Sequence, residues 1–429
     1  MLRKLLALLA AILALPLLAF ALVALLQRPP LIDGNNAAQA RPLPWLSQKA
    51  IQALFDYRVF SGARSGFVAM FARDGEVVFA TTSGYADIER ETPMTLDTRF
   101  RIASLTKPVT AVAAMTLVED GLLGLDDPVS KYIPIAADLR VATNHQRNAD
   151  GGFDTVPLAS PLLVRHLLMF ASGIGGSGSI GGDSDLDALW AEQGVTGAPG
   201  TLQQRVERAL SLPLFEQPGT AWRYGGSADV LARVLEIASG LPFDELLQQR
   251  IFRPLGMVHT EHLPPPSRQS DLARVYTQDE HGDLVLAPKR IDEETDWTPG
   301  GSGLVSTVGD YMRFGLMLRG RGSYDGVKIL EPETVAEMTR PHVEGGVLAS
   351  QGLDGLGWGL GFAVVVDAEK SLSIDRDGDY WWAGYYGTYW EVSPDADLVG
   401  VVFSQNEPAP GGGTNFDAGT AVSLAMAGL

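Results

Sequence analysis

Strand-forming runs occupy both ends of this chain, and the stretch between them reads as helix. That order constrains the fold more than any other feature. Gly66–Ala72 and Val77–Thr82 are two β-prone runs around Asp74-Gly75, the pattern of a hairpin. Near the other end, Gly361–Asp367, Tyr386–Val392 and Leu398–Ser404 return to the strand pattern, the last two joined by the turn residues Ser393-Pro394-Asp395. Helical patterns fill the middle: Ser104–Asp120, Leu162–Phe170, Ala228–Ser239 and Phe243–Phe252, with Gly121, Gly173 and Gly240 as stops. Further helices are predicted over Ser47–Phe60 and Ser306–Arg319. The expectation is an α/β fold of the α+β type: one antiparallel sheet assembled from both chain ends, flanked by helices, with a mostly helical subdomain inserted over about 104–290. Gly173–Gly182, rich in Gly and Ser, is expected to be a flexible loop over a cleft.

Composition closes off several functions. With 429 residues and 46% hydrophobic content the chain can bury a large core, and a net charge of −18 argues against nucleic acid or anionic lipid as main partner. The absence of cysteine removes disulfides, thiolate metal sites and cysteine nucleophiles. Arg3 and Lys4 precede an uncharged apolar run, residues 5–26, with Arg28 after it. That is an export pattern, giving a signal or transmembrane anchor over 1–28, a linker over 29–44 and the main globular domain over 45–429. The run's length matches a spanning helix, while Ala19-Phe20-Ala21 and Ala38-Gln39-Ala40 offer cleavage sites; the product is either tethered to the inner membrane facing the periplasm or secreted.

The chemistry starts at Ser104-Leu105-Thr106-Lys107. Residues three apart share a helix face, so the hydroxyl and the amine can meet within one turn. A serine needs a base, and an amine serves only where its charged form is disfavoured. A helix start adds favourable potential for negative charge at the oxygen and tolerates Pro108. By itself the motif is weak, since about one such spacing arises by chance in a chain this long and an N-capping serine is the bland alternative. Of the lysines at 4, 49, 107, 131, 289, 328 and 370, only Lys107 has a serine three residues before it.

The context is more specific. Phe100-Arg-Ile-Ala-Ser-Leu-Thr-Lys-Pro-Val-Thr110, followed by Leu122-Leu-Gly-Leu-Asp-Asp-Pro-Val-Ser-Lys-Tyr-Ile-Pro134, resembles the first motif region of the serine β-lactamase and penicillin-binding-protein superfamily. Leu163-Val-Arg-His-Leu-Leu168, Pro218-Gly-Thr-Ala-Trp-Arg-Tyr224, Pro254-Leu-Gly-Met257 and Gly301-Ser-Gly-Leu-Val-Ser-Thr307 match in order, so the resemblance spans roughly 45–410. Where the family usually reads Tyr-x-Asn, this chain has Tyr224-Gly225-Gly226, and with Asp229-Val230-Leu231 it is most similar to the family VIII carboxylesterases. The resemblance implies Ser104 as acylated nucleophile and Lys107 with Tyr224 as proton carriers. A packing tyrosine is the competing reading of Tyr224.

The third family motif, usually Lys-Thr-Gly, is best matched by Trp382-Ala383-Gly384, similar to the Trp-Gly-Gly of family VIII. The resemblance then implies an oxyanion hole from the backbone N–H groups of Ser104 and Tyr385, with Trp382 and Gly384 lining the substrate site; core strand packing would equally account for these aromatics. Tryptophan cannot pair with a substrate carboxylate as lysine does, which favours neutral esters or acyl donors over β-lactams. The expected partner is a small-molecule ester or acyl substrate, with no metal or organic cofactor. A β-lactamase, a D-amino-acid peptidase and a non-catalytic binding relative are the alternatives. No G-x-S-x-G elbow exists. His259-Thr260-Glu261-His262 lacks the zinc-protease order and reads as a satisfied loop or strand position.

Overall fold

The computed structural model describes residues 41–427, except 177–181, 194, 196–199, 289–296, 350–351, 372–374 and 409–413. The apolar run 5–26 and most of the linker therefore lie outside the described residues, and among those described no helix is long and apolar enough to cross a membrane.

The architecture is the antiparallel sheet with flanking helices that the strand distribution predicts. Its strands are β1 (Gly66–Arg73), β2 (Glu76–Asp87), β3 (Thr92–Pro93), β4 (Leu356–Trp358), β5 (Ala363–Val365), β6 (Tyr380–Gly384), β7 (Thr388–Ser393) and β8 (Leu398–Phe403). They run in the order β4-β5-β6-β7-β8-β1-β2-β3. The two chain ends meet where β8 pairs with β1, Phe71 opposite Gly400. Asp74 and Gly75 both hold positive φ, 51° and 79°, which is the geometry an Asp-Gly pair supplies at a two-residue hairpin.

β1 is buried along its whole length because both of its faces are covered. Phe67, Ala69 and Phe71 face a cluster with Ile51 and Phe55 of α1 (Trp45–Phe60) and Ala418, Ala421 and Val422 of α5 (Thr414–Ala427). Phe55 stacks on Phe67 at 4.4 Å. Val68, Met70 and Ala72 point the other way, into the main core shared with α2 (Thr106–Glu119), α3 (Ser227–Ser239) and α4 (Val308–Arg319). The period-two alternation thus appears as two apolar faces rather than one wet and one dry. Each buried Phe or Val contributes about 1.5–3 kcal/mol.

The middle of the chain is mostly helical, with two short β pairs that the sequence pattern did not reveal, 140–142 with 155–157 and 276–278 with 284–286. Between it and the large sheet lies a three-stranded ribbon of Phe100–Arg101, Leu304–Ser306 and Glu261–His262, with 304–306 central.

One expectation needs correcting. Residues 173–175 are not a flexible loop; they are buried. Phe215 N–H donates to the Gly173 carbonyl at 2.8 Å, and Gly226 N–H to that of Gly175 at 2.9 Å. A β-carbon on Gly173 would sit 2.1 Å from the Glu216 carbonyl oxygen, and one on Gly175 2.2 Å from the Phe215 ring. Glycine here marks close packing of backbone, a signal that composition confuses with flexibility. Residues 177–181 of that stretch lie outside the described residues.

Candidate active site

The turn carrying Ser104 is fixed from three directions. Ile102 N–H donates to Leu304 O at 3.0 Å in the ribbon, Tyr311 of α4 donates its hydroxyl to Leu105 O at 2.7 Å, and Thr106 Oγ1 closes the turn on Ala103 O at 2.7 Å. Ser104 lies in a single 3-10 turn, Ala103–Leu105, and the α-helix proper begins only at Thr106, two residues later than the sequence pattern suggests. Pro108 falls in the first turn, where its missing N–H leaves no bond unmade. Ala103 holds φ at +47°, costly for a side chain with a β-carbon, and such strain persists where the surroundings over-determine it.

Lys107 is 7% exposed. Its Nζ donates to Ser104 Oγ at 3.0 Å and to the Gly301 carbonyl at 2.7 Å. It also lies over the Tyr224 ring, 4.6 Å from the centroid. Tyr224 comes from the segment leading into α3. Arg223 N–H donates to Phe170 O at 2.7 Å, and the Arg223 guanidinium makes a two-pronged ion pair with Glu216. Phe170, itself at φ +53°, stacks on the Tyr224 ring at 5.4 Å. Trp382 Nε1 donates to the Tyr224 hydroxyl at 3.3 Å, and the Trp382 ring packs edge-on against Trp358 at 4.6 Å. A serine, a lysine and a tyrosine from two distant segments therefore share one cluster, walled by Phe170, Trp222, Trp358 and Trp382.

Gly384 ends β6 against the serine turn. A β-carbon there would stand 2.3 Å from Ile102 O and 2.1 Å from Thr388 Oγ1, whose hydroxyl donates to the same carbonyl at 3.0 Å. Tyr385 follows in the tight turn closed by Gly387 N–H on Gly384 O; its ring is 46% exposed. Trp390 does not join the cluster, and Trp381 reaches it only by stacking on Trp382 at 5.9 Å. Trp381 stacks on Tyr389, and Trp390 is buried among Tyr311, Phe314 and Phe362.

Two contributors were not evident from sequence. Gly301 offers its carbonyl to Lys107, and Asp229 Oδ1 accepts from Gly301 N–H at 2.8 Å. Burial pushes the Asp229 carboxyl up, while the Gly301 N–H, Lys107, Arg205 and the Gly300 N–H pull it back. The Pro-Gly-Gly-Ser-Gly run 299–303 was the available signal: a β-carbon on Gly300 would meet Ala228 O of α3 at 2.1 Å. His262 sits in the ribbon, with one ring nitrogen 3.2 Å from Pro299 O, and braces the same loop. Among the described residues no group of three or more His, Asp or Glu could hold a metal ion.

A hydroxyl at a helix start with an amine one turn on, the amine lying against a phenol ring from a second segment, is the arrangement of a serine hydrolase, here built on an antiparallel sheet with a helical insert. Residues 51–421 match the sequence profile of the beta-lactamase family, and the chain belongs to that family. It is 33% identical over 360 residues to Protein Rv1367c of Mycobacterium tuberculosis, covering 81% of this chain and 87% of that one. It is 32% identical over 360 residues to Esterase EstB of Burkholderia gladioli, covering 80% and 86%. Among solved structures, EstCE1, a hydrolase with promiscuous acyltransferase activity, superposes with a TM-score of 0.74 at 27% identity, over 89% of this chain and 98% of that one.

Proposed function

We propose that the protein cleaves neutral carboxylic esters through an acyl-enzyme on Ser104 and passes the acyl group to water or to a second alcohol. The observation that carries this is the placement of Lys107 Nζ, 3.0 Å from Ser104 Oγ and beneath Tyr224. In its unprotonated form the amine takes the Ser104 proton as Oγ bonds to the ester carbonyl carbon. The oxyanion is held by the backbone N–H groups of Ser104 and Tyr385. Collapse breaks the bond to the alcohol, whose oxygen leaves with a proton delivered through Tyr224. Water or another alcohol then attacks the acyl carbon, its proton passes back by the same route to Ser104 Oγ, and the acyl–Oγ bond breaks. The esterase and acyltransferase descriptions of EstB and EstCE1 support this reading. So does tryptophan at 382, buried against Tyr224 and carrying no charge for a substrate carboxylate.

The test is fluorophosphonate labelling read by intact mass. One adduct is expected, lost in Ser104→Ala, together with turnover of p-nitrophenyl esters well above that of nitrocefin. The absence of any adduct would leave a non-catalytic binding protein, and preferred turnover of nitrocefin a β-lactamase. The basic start and apolar run 5–26 support a second proposal, that the enzyme acts outside the cytoplasm, tethered or secreted. An alkaline phosphatase fusion after residue 44 is expected to be active, and an inactive fusion would refute export.

A further inference from the structure

The proton chemistry of Ser104 depends on how the lysine amine is turned, and Lys107 does not set that alone. An unprotonated amine has two N–H groups and one lone pair. If one N–H is anchored on a fixed carbonyl, the lone pair can be directed at the serine hydroxyl; if not, the amine rotates. The fixed carbonyl is that of Gly301, 2.7 Å from Nζ. Gly301 belongs to a loop that stays in place because its own N–H donates to Asp229 Oδ1 at 2.8 Å and because Thr110 of α2 donates its hydroxyl to Gly300 O at 2.7 Å. Asp229 stands in the first turn of α3, five residues after Tyr224. One carboxylate thus ties the segment bearing the phenol to the carbonyl that orients the amine.

The same carboxylate feels the charge of the amine. A β-carbon built at Gly301 lies 3.4 Å from Asp229 Oδ1 and 3.5 Å from Lys107 Nζ, so the two charges flank one residue. Arg205, 2% exposed and lying 3.9 Å above the Trp297 ring, is the further cation whose field reaches Asp229. Lys107 and Arg205 are the charged groups that act on Asp229.

We propose that Asp229, backed by Arg205, is a positioning residue that orients Lys107 through the Gly301 peptide and sets the charge balance in which the amine works. This rests on the reading of Lys107 as the proton acceptor of Ser104. Asn at 229 keeps an acceptor oxygen for the Gly301 N–H, but it replaces the second carboxylate oxygen by an NH2 donor and removes the negative charge, so the Gly300–Gly301 loop is expected to loosen.

The test uses the full chain and p-nitrophenyl butyrate, following kcat, KM and the pH profile of kcat/KM. For Asp229→Asn the expected result is a ten- to hundredfold fall in kcat with little change in KM. The acidic limb should move to lower pH by about one unit, because the amine has lost its anionic neighbour. Arg205→Met, which retains an apolar stem over Trp297, should move the limb the opposite way by a smaller amount. That second variant keeps the test open if Asp229→Asn does not fold. An unshifted profile in the variants that fold, whatever their kcat or melting temperature, overturns the proposal by reducing Asp229 to a structural brace. Failure of the underlying reading looks different: Lys107→Ala would still take the fluorophosphonate adduct at the wild-type rate.

Discussion

Gly384→Ala places the whole arrangement under strain at one atom. The new β-carbon would sit 2.3 Å from the Ile102 carbonyl oxygen and 2.1 Å from Thr388 Oγ1, both far inside van der Waals contact. Thr388 could rotate away, at the loss of its 3.0 Å hydrogen bond to Ile102 O. The Ile102 carbonyl cannot, because it belongs to the turn that Leu304, Leu105 and Thr106 hold in place. Relief therefore requires the end of β6 to move away from Ser104 by about 1 Å, carrying the Tyr385 N–H with it. Overpacking of this kind costs about 1–3 kcal/mol of stability. A displacement of about 1 Å at a reacting centre costs about a hundredfold in rate, or roughly 2.7 kcal/mol of transition-state stabilisation. The measurement is kcat/KM for p-nitrophenyl butyrate beside the urea midpoint, with fluorophosphonate labelling rate as a direct readout of acylation. The expected pattern is a modest midpoint loss with a hundredfold fall in labelling. Adding Thr388→Ala should not rescue it, since the clash with Ile102 O remains. Wild-type labelling in Gly384→Ala would refute the claim that the end of β6 helps to form the oxyanion site.

Other perturbations separate chemistry from packing. Trp382→Phe keeps a ring against Trp358 but removes the N–H held by the Tyr224 hydroxyl; kcat should fall about two- to tenfold with KM nearly unchanged, as one hydrogen bond is worth roughly 0.5–1.5 kcal/mol. Gly175→Ala, driving a β-carbon to 2.2 Å from the buried Phe215 ring, should lower stability by about 1–3 kcal/mol in urea melts, and an unchanged midpoint would contradict the packing described for 173–175. Burial, aided by the Asp375 charge, pushes the Asp379 carboxyl up to about 6, so the folded state carries its proton first and stability falls as pH rises from about 4 to about 6. Asp379→Asn should accordingly exceed the wild type by roughly 2–3 kcal/mol at pH 8 and lose that margin by pH 4, measured by urea unfolding. Burial lowers His262 to about 4, which works oppositely: stability is lost as pH falls from about 6.5 to about 4, and His262→Gln should flatten that loss.

How much of this was legible in the sequence depends on which physical signal each element leaves. The hairpin at Asp74-Gly75 was legible because positive φ at two adjacent positions restricts residue choice to a few types. Helix ends at Gly121 and Gly240 were legible for the same reason, each glycine adopting the left-handed conformation. β4 was invisible because three residues, Leu356–Trp358, carry no period. The α5 helix was missed because its small residues, Ala418, Ala421 and Ala425, pack flush on β7 and β8 and give no strong apolar stripe. The strand ending in Gly384 was identified by its motif, not its pattern, since Tyr380–Gly384 is aromatic on both faces.

The site divides along the same line. The side chains proposed to do chemistry leave a spacing in sequence, as Ser104 and Lys107 do, because one helical turn fixes their separation. Groups that act through the backbone leave none: the Gly301 carbonyl and the Tyr385 N–H would be the same atoms under almost any side chain. What the sequence does record is the space those atoms require. Gly300 against Ala228, Gly384 against Ile102 and Gly175 against Phe215 each mark a place where two segments close to within the volume of a methyl group. The first two contacts lie around the Ser104 turn and its lysine, whereas Gly175 and Phe215 both belong to the helical insert. Around that turn, Gly300, Gly301 and Gly384 mark where segments close on one another, and the residues facing them, Asp229 among them, are where the unwritten part of the site is found.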